Sequence, residues 1–452
     1  MKSTRPASTV SGINVTGGSL VVDASAGSLG IPITYDGGGS GSLEVRAAGT
    51  TWKVSGPSGS VGGPVQVSFT NVAVVKATGD GATLVGPAAD TTWNVSGAGA
   101  GTIGTLGFAG FTNLTGAANN KDTFVIAAGG SVAGTIDGGA GGFDTLVIGG
   151  PTSRVATSAS SSSSGTVTVD GQTIRYTGLE PITIAPPSPP PSPAPTDITI
   201  SGSSSDDEIT LQPDSGTPGN LLATAATIES ISFPVPTVSL TIIGGAGNDT
   251  VTLAGTLLLG AITFRIDAEH IVVSSGAAID ASGGAVSFAA ASDQTGSATL
   301  GFVTSSGSAT VDITDATVSA SSLSATATSH LAPPSPSSFA IGLDASSSAA
   351  VALVNATIHT TGDATFHATS VVTAAMVATG FSSHTDSSAD AAVAASTVTS
   401  TATSRISGTS TLTVGGALAV QASNAVDAAS VGDAKPATSG AGIAILNATL
   451  VT

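Results

Sequence analysis

The chain has 452 residues, 40% of them hydrophobic but only 4% aromatic and 9% charged, with 59 glycines and no cysteine. That apolar content is enough for a core, but one assembled from many small side chains as stacked repeats are, and disulfides and thiolate metal sites are excluded. A net charge of −18, from 29 acidic and 11 scattered basic residues, argues against nucleic acid and anionic membranes as partners.

The N-terminal MKSTRPASTVSGINVTGG has basic residues but no apolar core of a Sec-type signal,. No stretch approaches the roughly 18 apolar residues of a membrane-spanning helix. The first half then repeats itself. TTWKVSG at 50–56 returns as TTWNVSG at 91–97, placing Trp52 and Trp93 41 residues apart, and FTNV at 69–72 returns as FTNL at 111–114. Self-similarity at a period of roughly 20 to 50 residues predicts a solenoid or array. The segments between turns, such as PVQVSF and DTLVI, are short and β-branched, as strands are. After the serine tract SASSSSSG at 158–165, VDGQT reads as a hairpin turn,. APPSPPPSPAPT at 185–196 favours polyproline II and cannot donate to a β ladder,. It is expected to be a linker between an N-terminal β-repeat segment, 1–184, and a C-terminal one, 197–452.

The second half has its own repeat. VDITDATVSASSLSATATS at 311–329 is followed by VALVNATIHTTGDATFHATS at 351–370, then by STLTVGGALAVQASN at 410–424. AILNATLVT at 444–452 reopens the unit and stops, as a piece of a longer protein would. Alternation with period 2 predicts strands with one buried face. Asp315 and Asn355 are expected in equivalent turns with positive φ, and Val318 and Ile358 should both point inward. LAPPSPSS at 331–338 reads as a loop thrown out of a rung. The N-x-S/T triplets at Asn14, Asn94, Asn113, Asn248, Asn355 and Asn447 read as turn residues followed by strand positions rather than as glycan acceptors,. The expected fold is all-β: a parallel β-helix or β-solenoid of tandem repeats of about 40 residues, in two segments.

The chemistry centres on GGAGNDTVT at 244–252, which fits the nonapeptide G-G-x-G-x-D-x-U-x, U being a large apolar residue,. Its glycines permit a tight turn, the Asp249 carboxylate and the carbonyls of Gly245 and Gly247 offer hard oxygen ligands for calcium, and Val251 packs inward. GSSSDDEIT at 202–210 aligns with it, Asp207 at the sixth position and Ile209 at the eighth. GGAGGFDTL carries Asp144 one position late, and GAANNKDTF keeps Asp122 with a single glycine. Calcium takes about six to eight oxygens, so one intact copy supplies part of a shell. Asp207 and Asp249 are separated by non-motif sequence and need not stack on neighbouring rungs; should they stack, their carboxylates and the carbonyls of Gly245 and Gly247 could complete a site. The reading is therefore a structural turn, with calcium held by Gly245, Gly247, Asp249 and Asp207 as its rival.

Nothing in the sequence assembles a catalytic constellation. G-x-S-x-G and H-E-x-x-H are absent, and His359 and His367 are read on a solvated face,. The triplet Asp206, Asp207, Glu208 is read as a solvated turn, because neighbours on a strand point to opposite faces. Trp52, Trp93, Tyr35 and Tyr176 are read as core residues rather than sugar-stacking platforms.

GGAGNDTVT resembles the hemolysin-type (RTX) calcium-binding nonapeptide. Residues 111–150 and IRYTGLEPITI resemble segments of very large bacterial β-strand-repeat surface proteins, and the second half is similar to filamentous hemagglutinin-like adhesins. The resemblance implies a non-catalytic stalk or adhesin segment, extracellular or on a bacterial surface, with calcium as a structural ion and a surface glycan or protein as receptor. The alternatives are a polysaccharide-active β-helix, lyase or hydrolase, and an ice-binding-like solenoid using the Thr-rich TVTSTATS at 397–404.

Overall fold

A computed structural model describes residues 10–184, 194–299, 302–334, 340–379, 389–434 and 441–451. Among these residues there is no helix, despite the abundance of alanine; the strands join in one long mixed sheet. Thr, Ser and Val every second residue hold the Ala-rich stretches in pleated strands, where β-branched side chains pack well. The chain divides into two compact units, Met1–Ser204 with Asp214–Thr237, and Ser205–Pro213 with Val238–Thr452. The division thus falls after the proline-rich run, of which 185–193 lie outside the described residues. Strands on either side of that run, Arg154–Ser161 and Asp197–Ser201, pair in parallel within the first unit.

In the second unit each parallel pairing is one step of a stack. Ile209, Val251, Ile271, Val311 and Val351 are successive register partners, and all are fully buried. A parallel column runs through Leu257, Ile279, Val318, Ile358 and Leu412. Val318 and Ile358 are therefore paired and buried as expected, each such aliphatic contributing about 1.5 to 3 kcal/mol. The step between partners is not constant. It is short from Val251 to Ile271, longer from Val311 to Val351, and longer again from Ile358 to Leu412. Lengthening of strands accounts for part of this, since Thr250–Leu253 has 4 residues and Ala389–Ser407 has 19. Asp315 and Asn355 take φ of 48° and 51°, and Asn355 Nδ2 donates to Asp315 Oδ1 at 2.9 Å, so the two turns stack.

The first unit mixes parallel steps with antiparallel hairpins. Trp52 and Trp93 each open a meander of strands, pairing antiparallel with Val61 and Ile103, and both are fully buried. They are not register partners. Trp52 pairs in parallel with Leu84 and Trp93 with Phe124, both intervals shorter than the one between the two tryptophans. The sequence repeat therefore measures meander to meander, not rung to rung. Trp52 meets Phe111 edge-on at 5.5 Å and Trp93 stacks on Phe124 at 5.0 Å. The VDGQT hairpin is present, with Val169 opposite Gln172 and Asp170 and Gly171 at φ 48° and 87°, the primed turn that matches strand twist. Of the N-x-S/T asparagines, Asn248 and Asn355 sit in turns, whereas Asn14, Asn94, Asn113 and Asn447 lie in strands.

Candidate functional site

Asp207 and Asp249 stand at the same corner of successive steps, each immediately before a strand: Glu208–Pro213 and Thr250–Leu253 pair with Glu208 opposite Thr250. The interval between them did not require this stacking, and the structure has it. Residues 214–237 belong to the first unit, so the interval amounts to one step of the second.

The corner is knit by amide-to-carboxylate bonds running from step to step. Asp207 N–H donates to Asp249 Oδ1 at 2.8 Å, and Asp249 N–H donates to Glu269 Oε2 at 2.8 Å. Asn248 N–H donates to Asp206 Oδ1 at 2.9 Å. In the other direction Thr250 N–H donates to the Asp207 carbonyl at 2.7 Å and His270 N–H to that of Asp249 at 2.9 Å. His270 bridges the steps through Nε2 to Asn248 Oδ1 at 3.2 Å and Nδ1 to Thr310 Oγ1 at 3.0 Å. Its partial burial depresses the imidazole pKa.

Asp207 and Asp249 are both fully buried. Only Asp206 and Glu208 of the acidic triplet face solvent, so the solvated-turn reading holds for the flanks and fails at the middle. Burial pushes the Asp249 carboxyl up to about 6, aided by the charges of Glu269, Asp207 and Asp206. Asp249 Oδ2 is buried without a hydrogen-bond partner. Gly245 and Gly247, at φ 123° and 145°, belong to the same turn. A Cβ at Gly247 would lie 2.8 Å from the Ser205 backbone, and one at Gly244 would lie 2.5 Å from Asp249 Cβ. Gly247 lets one corner nest on the next, and Gly244 leaves room for Asp249 within its own.

The degenerate copies build the same corner in the first unit. Asp122 N–H donates to Asp144 Oδ1 at 2.7 Å, and Ala117 N–H to Asp122 Oδ2 at 3.1 Å. Both acids are buried, which raises both pKa values. Cβ atoms at Gly116 and Gly138 would strike Asp122 and Asp144 at 2.5 and 2.9 Å.

Two acids of this kind escaped the sequence reading. Glu269 occupies a corner without glycine. Glu229 is fully buried in the first unit, where the Tyr176 hydroxyl donates to its Oε1. Burial lifts Glu229 to about 6 and, with the Glu229 charge, raises the Tyr176 phenol. The signal was an acid two residues before an inward apolar residue: Asp122 and Phe124, Asp144 and Leu146, Asp207 and Ile209, Glu229 and Ile231, Asp249 and Val251, Glu269 and Ile271.

A calcium shell needs about six to eight oxygens converging on one point. Asp249 Oδ1 and Glu269 Oε2 are instead aimed at backbone amides. Among the described residues, no three His, Cys, Asp or Glu gather as a metal-holding group. These bonds tie each corner to the next step. As for the histidines, His359 is exposed, His367 is half-buried, His330 pairs with Asp293 at 3.0 Å, and His384 lies outside the described residues. Comparison of the chain with protein-family models, with curated proteins and with solved structures finds no match.

Proposed function

We propose that the chain is a non-catalytic structural segment, a stalk or adhesin part of a secreted or cell-surface bacterial protein, built as a parallel β-solenoid in two segments with steps of variable length. The observation that supports this reading is the use made of the corner acids Asp144, Asp249 and Glu269: one oxygen of each accepts a backbone amide from a neighbouring step. Carboxylates spent in this way hold a stack together rather than activate water or a substrate. The receptor is a surface glycan or protein, and calcium has no part in the corner at Asp207 and Asp249. Among the described residues no helix is long and apolar enough to cross a membrane.

The test is a depolymerisation assay over acidic and neutral glycans, run beside thermal melts with and without millimolar calcium. The expected results are no turnover and an unchanged Tm. Turnover lost in Asp249→Ala would establish the rival polysaccharide-active enzyme. A native-state ion at 100 times its Kd adds about 2.7 kcal/mol; a calcium-dependent rise in Tm that Asp249→Ala abolishes would restore the ion site.

A further inference from the structure

The core of the second unit contains a line of hydroxyls that packing does not require. Ser329, Ser347, Ser370 and Ser400 are at most 1% exposed. Ser347 Oγ lies 2.8 Å from the Oγ atoms of both Ser329 and Ser370, and Ser370 Oγ lies 2.7 Å from that of Ser400. Ser400 donates in turn to Asn424 Oδ1, and Asn424 Nδ2 returns a bond to the Ser400 carbonyl at 2.9 Å. Ser329, Ser370 and Asn424 are register partners in one ladder of strands, and Ser347 and Ser400 in another. The bonds zigzag between the two ladders as the stack advances.

The surrounding strands leave their register open. Thr317–Leu331 from Leu323 onward, and Ala364–Thr379 throughout, put Ala, Ser and a few larger apolar residues inward at every second position. A slip of one residue would turn the apolar face outward and is forbidden by burial. A slip of two keeps every inward residue inward and brings Ser329 opposite Ala368 or Val372 rather than Ser370. Apolar patterning resists such a slip weakly where the exchanged side chains are as alike as Ala and Ser. Hydroxyl pairing resists it strongly, since slipped serines lose their partners in a site closed to water.

The geometry points to a register lock: the buried serine line from Ser329 to Ser400, ending on the exposed Asn424, selects one pairing of these strands from those spaced two residues apart. A buried polar group that fixes register in an otherwise permissive apolar interface acts by the same physics.

The chain has no cysteine, so engineered pairs report register directly. Thr328 and Thr369 are partners, whereas His367 is the partner of Thr326. In the otherwise unchanged chain, Thr328→Cys with Thr369→Cys should form a disulfide on mild oxidation, and Thr328→Cys with His367→Cys should not. Adding Ser329→Ala, Ser347→Ala, Ser370→Ala and Ser400→Ala should keep the β signal in circular dichroism but let the second pair cross-link to a yield comparable with the first. Exclusive cross-linking of the native pair in the fourfold variant would overturn the proposal. Ser347→Ala alone, which breaks the first two bonds of the line and leaves the apolar contacts, carries the same test where the fourfold change prevents folding; there a several-fold rise in the slipped cross-link is expected, and an unchanged yield overturns the proposal.

Discussion

At the scale of single residues, the buried acids have two separable roles, and substitution tells them apart. Asp249 accepts the Asp207 amide, so Asp249→Ala strands a buried N–H and should cost about 1 to 3 kcal/mol, seen as a lower midpoint in urea. Glu229 holds the Tyr176 hydroxyl rather than the amide of a neighbouring step, and like that of Asp249 its pKa of about 6 lies above the usual carboxylate range. The folded state therefore holds that proton more tightly than the unfolded chain does. The ionised form costs stability above about pH 6, and the cost is relieved as pH falls toward the unfolded value near 4.5,. A shift of this size is worth on the order of 2 kcal/mol. Tm should therefore rise between pH 7 and pH 5. Glu229→Gln, of the same shape but uncharged, should raise Tm at pH 7 and make that part of the profile shallower, Asp249 supplying part of the remaining slope. A profile that falls on acidification in the parent would contradict the assignment.

At the scale of elements, the turn before Ala-Thr is the part read most directly from the sequence. Asp and Asn tolerate positive φ, and Asp315 and Asn355 adopt it. Asn355→Gly keeps the turn but loses the bonds to Asp315 and Thr409 and should cost about 1 kcal/mol, whereas Asn355→Val, β-branched at φ 51°, should lose about 1 to 2 kcal/mol more, measured by chemical denaturation. The inward faces were equally legible, because alternation with period 2 is a property of the strand itself. Step length was not. Two positions added to a strand preserve its alternation, so the short step from Val251 to Ile271 and the long one from Ile358 to Leu412 carry the same local signal. The repeated tryptophans misled for a related reason: they mark equivalent meanders, while the rungs pair at another interval. Glu269 and Glu229 were missed because the nonapeptide draws attention to glycine, and the corner depends on the acid and the apolar residue two positions on.

At the scale of the whole molecule, stability in a stack is a sum over neighbouring steps. Protection from hydrogen exchange should accordingly be uneven. Val311 and Val351 are flanked by paired strands on both sides and fully buried, whereas in Leu418–Asp433 the inward Leu418 and Val420 are 50% and 41% exposed. Exchange measured by mass spectrometry should be slowest across Phe302–Thr314 and Ala340–Val354 and faster across Leu418–Asp433,. Uniform exchange would indicate all-or-none opening.

The carboxyls buried or half-buried at the corners also alter how the protein behaves as a colloid. The formal charge of −18 counts every acid as ionised, yet Asp122, Asp144, Glu229, Asp249 and Glu269 all hold their protons more tightly than solvated acids do. In mildly acidic surroundings the folded chain sheds negative charge sooner than its composition implies, and mutual repulsion between molecules weakens while the fold itself tightens. Crowding on a surface becomes easier under those conditions, without any change in the outward-facing residues.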